Sequence, residues 1–259
     1  MDQVQAPSKA LMRRPPDSYA PFYRARGISI DMERARAQHA AYGEALRAAG
    51  LEVHLLDGDE AWPDCVFIED PAVVAAPRAL IGRLAPHREG EPGPVEAALG
   101  RWHETAHLPD GARLEGGDVL HVEDTTYVGL TARTNEAGVE ALRDFLAPAG
   151  RRVVAVPVPK YLHLKTAATY LGNGVLAAVP DFVGVRAFEV DDVLLVDEGE
   201  PVAANTLRVR DHLLTVQGNP RTEARLRAFA ERHGVHVVPL EITEFEKGEG
   251  SLTCLSLVW

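Results

Sequence analysis

Two cysteines occur in this 259-residue chain, and one of them, Cys254, stands five residues from the end in Gly250-Ser251-Leu252-Thr253-Cys254. A thiol acts as a nucleophile when an imidazole and carboxylates accompany it; otherwise it is a small core residue. Three other segments hold polar residues where core is expected. Asp64-Cys65-Val66-Phe67-Ile68-Glu69-Asp70 sets three carboxylates around a short apolar run. It reads as an acidic loop or as a site for a guanidinium, an ammonium or a metal. Leu114-Glu115-Gly116-Gly117-Asp118-Val119 frames paired glycines with two acids. The glycines admit a ligand closely, or the segment is a plain turn between strands. Leu162-His163-Leu164-Lys165 places a histidine between leucines, as an orientable buried imidazole or a satisfied core residue. Taken together the segments fit nucleophilic catalysis in which Cys254 attacks and His163 manages protons. Zinc is the rival use of the same residues. Cys254 and His163 supply two soft ligands and no second close His or Cys completes a set, so no metal and no cofactor is expected.

These residues are far apart in sequence, so a fold must gather them. Short apolar runs predict strands at 10–12, 52–56, 65–68, 72–75, 79–81, 119–122, 126–130, 153–158, 174–179, 193–196, 212–217 and 235–240, with a buried strand at 252–259 closing the chain. Helices are expected at 32–49, capped by Asp31 and ended by Gly50, at 136–146 after Thr134-Asn135, and at 95–104. A further helix takes Asn219 as N-cap, Pro220 at its first position and Gly234 as terminator. Units of strand, strand, helix and strand recur about every 50 residues, which suggests internal repetition within one domain, 1–259. A doubly wound sheet is the default for such a pattern, but no strand is followed by a glycine-rich phosphate loop.

The balance of 27 basic against 38 acidic residues gives a net charge of −11. That argues against nucleic acid or an anionic membrane as partner and is compatible with a cationic small substrate. The opening Met1-Asp2-Gln3-Val4-Gln5 lacks the pattern of a signal peptide, no apolar stretch is long enough to span a bilayer, and the cysteines form no disulfide framework. A cytoplasmic location is expected.

The segments Cys65-Val66-Phe67-Ile68-Glu69-Asp70, Glu115-Gly116-Gly117-Asp118-Val119, Gly129-Leu130-Thr131-Ala132-Arg133-Thr134-Asn135, Leu162-His163-Leu164-Lys165 and Leu252-Thr253-Cys254 resemble, in order, those of the dimethylarginine dimethylaminohydrolases. These belong to a superfamily of guanidino-group-modifying enzymes that includes arginine deiminases and amidinotransferases. The resemblance runs from about residue 10 to the end. It implies an α/β fold, a five-bladed α/β propeller (pentein) with pseudo-fivefold symmetry, in place of the doubly wound sheet. It also implies a hydrolase of Nω-methylated L-arginine that releases an alkylamine and L-citrulline through a covalent thiouronium. Cys254 is then the nucleophile, His163 the proton carrier, and Glu115, Glu69 and Asp70 hold the guanidinium and the imidazole. Asp64 accepts the substrate α-amino group, and Arg88 and Arg133 hold its carboxylate. The partner implied is a small guanidino amino acid, with a homodimer admitted as an assembly.

Lys165 separates relatives. Arginine deiminases carry an acid at this place, which holds a second edge of an unsubstituted guanidinium; a lysine leaves that edge free for an N-methyl group. Two positions depart from the family pattern at the substrate mouth. Tyr19 stands where an apolar lid residue is usual, and Gly248 where an aliphatic residue turns its carbonyl to the substrate. The remaining readings are an arginine deiminase-like or other guanidino or ureido hydrolase and, from a different class, a non-catalytic binder of arginine-like ligands.

Overall fold

A three-stranded unit, repeated five times, organises the chain. The computed structural model describes residues 6–259; the opening Met1–Gln5, read above for targeting signals, lies outside the described residues. In each unit the middle strand pairs antiparallel with one neighbour and parallel with the other. The second unit joins Ala72–Ala75, Arg78–Ile81 and Glu104–His107. The third joins Val119–Val122, Thr125–Leu130 and Arg152–Pro157. The fourth joins Ala168–Gly172, Val175–Ala178 and Asp192–Leu195, and the fifth Leu207–Val209, His212–Val216 and His236–Leu240. The first unit is completed by the end of the chain. Leu257–Val258 pairs antiparallel with Lys9–Arg13, which runs parallel to Glu52–Leu56. The two ends of the chain thus share one blade, and the expected five-bladed α/β architecture is the one observed.

The parallel pairs need crossovers, because only antiparallel neighbours close through tight turns. Helices Met32–Ala48, Pro92–Leu99, Glu136–Leu146 and Pro220–His233 supply four of them. In the fourth blade the crossover holds only the 3-10 turn Val183–Ala187. Met32–Ala48 buries Ala35, Gln38, His39, Tyr42, Gly43, Ala45 and Leu46, the spacing of one helical face. Asp31 accepts from the Arg34 amide at 3.0 Å and Asn135 from the Gly138 amide at 2.9 Å, as N-caps do. Asn219 does not: its side chain donates to the Val216 carbonyl, and the Glu200 carboxylate receives the Arg221 and Thr222 amides instead. Among the described residues no helix is long and apolar enough to cross a membrane.

Five apolar clusters fill the five seams between blades. Leu11 and Leu257 meet Ala79 and Ile81 between the first and second. Val73 and Leu80 meet Val119 and Val128 between the second and third, and Tyr127 and Val156 meet Leu176 and Ala178 between the third and fourth. Leu171 and Val175 meet Leu213 and Phe229 between the fourth and fifth, and Val209 and Leu214 meet Ala10 and Met12 at the last seam. Each blade therefore contributes to two clusters, and the ring closes.

Several local expectations are corrected. Residues 65–68 form no strand; Pro63–Val66 is a 3-10 turn, because Pro63 presets a turn φ and lacks the N–H that a ladder needs. The helix expected at 95–104 ends at Leu99, and Glu104–His107 is a strand. The closing segment is a strand only at Leu257–Val258, and Cys254 sits in the 3-10 turn Thr253–Leu255 before it. Strands Ala168–Gly172 and Leu207–Val209 and the helix Tyr19–Arg24 were not expected.

Candidate active site

A short turn leads into every blade: Pro63–Val66, Gly116–Asp118, Leu164–Ala167, Pro201–Ala204 and Thr253–Leu255. Equivalent positions in a ring fall at the same end of it, so the chemistry-bearing residues meet there. Hydrogen bonds join the five turns in a closed circuit. The Gly116 amide donates to the Asp70 carbonyl at 3.0 Å, and the Leu164 amide to Asp118 Oδ1 at 2.9 Å. Asn205 Nδ2 donates to the Lys165 carbonyl at 2.9 Å, and the Thr253 amide to Asn205 Oδ1 at 3.0 Å. Thr253 Oγ1 donates to Glu69 Oε2 at 2.8 Å, and the Glu69 amide to the Cys254 carbonyl at 3.2 Å. Every blade thereby fixes a neighbour's reactive turn.

Within this circuit His163 Nε2 lies 2.7 Å from Glu115 Oε2 and 3.8 Å from Asp70 Oδ1. Asp70 is held by Arg88 Nη1 at 2.6 Å and by the Gly117 amide at 3.1 Å. Glu115 Oε1 receives the Ala85 amide at 3.2 Å and lies 3.6 Å from Arg133 Nη1. Asp118, fully buried, binds the Thr131 and Thr134 hydroxyls with the oxygen that does not hold Leu164. It therefore couples the Arg133 loop to the His163 turn. Glu69 spans Lys165 Nζ at 2.6 Å and the Thr253 hydroxyl, so both its oxygens are engaged. Lys165 also donates to the Gly116 carbonyl at 3.2 Å.

The paired glycines have a steric reason. A Cβ at Gly116 would stand 2.0 Å from the Glu69 carbonyl oxygen, and one at Gly117 2.8 Å from the His163 ring and 2.9 Å from Asp70 Oδ1. Both side chains met at Gly117 are buried and bonded, so neither yields freely. Gly117→Ala is expected to displace the imidazole and lower kcat by about 100-fold, since an ångström of misplacement costs that much. Steady-state kinetics beside a thermal melt checks it; wild-type kcat in a folded variant contradicts it.

Charge follows from this packing. Burial alone would lower the His163 pKa, but the charge of Asp70 and the bond to Glu115 prevail and raise it to about 9. Burial would raise Asp70, yet His163 and Arg88 hold it below the usual carboxylate range. Glu69 is pushed up by burial, with Lys165 opposing. Asp118 is raised by burial to about 6, against the pull of His163 and its threonine bonds. Burial and the charges of Glu69 and Asp70 push the Cys254 thiol up to about 12. The resting site therefore pairs an imidazolium with a neutral thiol. Cys65 is buried and receives the Asp59 amide, a core role.

A cavity of about 280 Å³ opens onto Cys254, with His163, Glu69, Lys165, Asn205 and Thr253 in its wall. The other expected site residues lie outside that wall. Asp64 is buried and accepts from the Tyr23 hydroxyl at 2.8 Å. Arg88 is turned inward, giving Nε and Nη2 to Glu91 at 2.9 and 2.8 Å and Nη2 to the Phe67 carbonyl at 3.0 Å. The expected carboxylate clamp is thus occupied as the counter-ion of Asp70. Tyr19 is fully buried among Tyr23, Phe67 and Phe245, and is no exposed lid. Gly248 is buried, and its carbonyl accepts from Tyr23 at 3.1 Å. Among the described residues, Asp70, Glu115 and His163 are the one trio with ligand atoms within 4.8 Å of one another. They already bind Arg88, Ala85 and one another, and Cys254 is not among them. Asn205 was not singled out in the sequence, and Asp118 only as one of the acids framing Gly116-Gly117; the signal of each is position, a polar residue on the approach to a blade.

Solved structures share this ring. A cysteine-to-serine variant of the Pseudomonas aeruginosa enzyme, complexed with citrulline, is 28% identical with a TM-score of 0.89, covering 98% of this chain and 100% of that one. A histidine-to-glycine dimethylarginine dimethylaminohydrolase, an adduct with S-methyl-L-thiocitrulline, is 30% identical with a TM-score of 0.88, covering 97% and 99%. The five-bladed ring and these relatives define the class: a guanidino-group-modifying hydrolase, acting on C–N bonds and binding a small molecule. Sequence narrows it. A family model described as N,N dimethylarginine dimethylhydrolase, eukaryotic, matches residues 21–187. The Streptomyces coelicolor N(G),N(G)-dimethylarginine dimethylaminohydrolase is 39% identical over 258 residues, covering 96% of each chain. The chain belongs to the dimethylarginine dimethylaminohydrolase family.

Proposed function

We propose that this protein hydrolyses Nω-methylated L-arginine to L-citrulline and the methylamine, with Cys254 as nucleophile. The observation that carries the reading is geometric: Cys254 and His163 line one cavity, and Glu115 braces the imidazole at 2.7 Å. A planar guanidinium with its fork of donors suits Asp70 and Glu69. Its positive charge favours loss of the thiol proton to solvent, so substrate binding creates the thiolate. The sulfur attacks the guanidinium carbon, His163 gives its proton to the departing amine, and an S-alkylthiouronium remains. His163, now neutral, takes a proton from water, the hydroxide adds to the same carbon, and the C–S bond breaks to release citrulline. Asp64 receives the α-ammonium and Arg133 the α-carboxylate, while Arg88 orients Asp70. No cofactor takes part, the whole of 1–259 acts as one domain, and the location is cytoplasmic.

Lys165 favours methylated over plain arginine, because a lysine, here paired with Glu69 at 2.6 Å, stands where an acid would accept from a second guanidinium edge. A panel of arginine, mono- and dimethylarginines, agmatine and guanidino acids, scored for citrulline-type products and released amines, tests this. Methylated arginines are expected to give the highest kcat/KM; plain arginine turned over best refutes the assignment. The thiol proposal has its own check in ultraviolet thiolate absorbance, referenced to Cys254→Ser. At pH 8 a thiol that burial and the charges of Glu69 and Asp70 push up to about 12 is held protonated. An inert guanidinium is expected to raise the thiolate fraction, and an unchanged fraction sinks substrate-assisted ionisation.

A further inference from the structure

Helix Tyr19–Arg24 carries a residue that nothing above assigns. Tyr23 is 8% exposed, and its hydroxyl lies 2.8 Å from Asp64 Oδ1 and 3.1 Å from the Gly248 carbonyl oxygen. A phenol has one proton, so the two acceptors facing it are one donor short. Burial and the charge of Asp64 push the phenol pKa up, which keeps that proton on the oxygen. We propose that Tyr23 is a positioning residue, pinning Asp64 and the Gly248 carbonyl together as a two-acceptor cradle for the primary ammonium of the substrate. This rests on the reading of Asp64 as the ammonium acceptor.

The surrounding packing belongs to the same device. A Cβ at Gly248 would stand 2.5 Å from Tyr19 Oη and 2.8 Å from Tyr23 Oη. The two tyrosines, packed edge to face at 4.9 Å, occupy the volume that a side chain at 248 would need. Tyr19, Tyr23 and Gly248 thus form one set: two rings replace an aliphatic residue and bring a hydroxyl to the carbonyl. Tyr23 reaches the ammonium through its two acceptors, neither of which lines the cavity that opens onto Cys254. Its effect falls on recognition of a free α-amino group rather than on bond breaking.

The test compares Nω,Nω-dimethyl-L-arginine with its des-amino analogue, 5-(dimethylguanidino)pentanoate, on Tyr23→Phe and Asp64→Asn proteins. Tyr23→Phe is expected to raise KM for the amino acid about tenfold, the worth of one hydrogen bond to a charged group. With kcat within about threefold, the amino-acid-to-analogue ratio of kcat/KM falls about tenfold. Equal losses on both substrates, or an unchanged ratio while Asp64→Asn still lowers it, overturn the role of Tyr23 and leave the Asp64 reading standing. An unchanged ratio in Asp64→Asn removes the ammonium reading and this proposal with it. If Tyr23→Phe fails to fold, Gly248→Ala pushes on the same hydroxyl and is expected to lower the same ratio; a ratio it leaves unchanged counts against the cradle.

Discussion

Cys254→Ser protein is expected to release no measurable citrulline from Nω,Nω-dimethyl-L-arginine, with kcat down by about a thousandfold or more, while still binding it. A serine hydroxyl fits the space but is a far weaker nucleophile without a base held against it. In the resting site the histidine is already protonated and braced on Glu115, so no base stands ready to take the serine proton. The turn is fixed by Asn205 and Glu69 through Thr253 rather than through the sulfur, which keeps the fold and the substrate contacts intact. Isothermal titration beside product analysis separates the two properties. A non-catalytic binder would release no citrulline even with Cys254 in place, and unchanged citrulline production by the variant refutes Cys254 as the nucleophile.

Glu115→Gln carries the second large effect. Neutralising the partner 2.7 Å from the imidazole removes one of the interactions that raise His163 to about 9. Because that pKa is raised, the protonated pair stabilises the fold fully below the ordinary histidine value of about 6.5 and less as pH climbs through about 9. The variant is expected to lose about 100-fold in kcat, the scale of positioned acid catalysis. Its alkaline limb in kcat/KM moves to lower pH, because the imidazolium is surrendered sooner. A pH–rate profile with an unmoved limb contradicts the role given to Glu115.

The chemistry was legible in the sequence wherever polar residues break an apolar pattern. His163 between leucines and the acids around Gly116-Gly117 both announce themselves this way. Their convergence was not legible, because it depends on five turns occupying equivalent places in separate blades. Asn205 escaped notice for that reason, although it bridges two turns; Asp118 was seen only as an acid framing the glycines, not as the link between the Arg133 loop and the His163 turn. Short apolar runs do not distinguish strand from turn: Cys65-Val66-Phe67-Ile68 reads like a strand, yet Pro63 opens a 3-10 turn there. Glu104–His107 failed the opposite way, since Glu-Thr-Ala-His carries almost no apolar alternation and is a strand by pairing with Arg78–Ile81. Arg88 carries a partner that its position did not announce: Glu91, three residues on, takes Nε and Nη2 of its guanidinium.

Cys254 itself lies in a turn rather than on a closing strand, with Leu257–Val258 immediately beyond it locking the end of the chain into the first blade. That arrangement makes the covalent step the sharpest point of contact between structure and function. Wild-type protein mixed with Nω,Nω-dimethyl-L-arginine, quenched in acid within the first turnover and analysed by mass spectrometry, tests it directly. The account predicts an adduct of substrate less dimethylamine, carried by the peptide containing Cys254 and vanishing as citrulline accumulates. An adduct on any other residue, or citrulline formed in that first turnover while Cys254 stays a free thiol throughout, contradicts it.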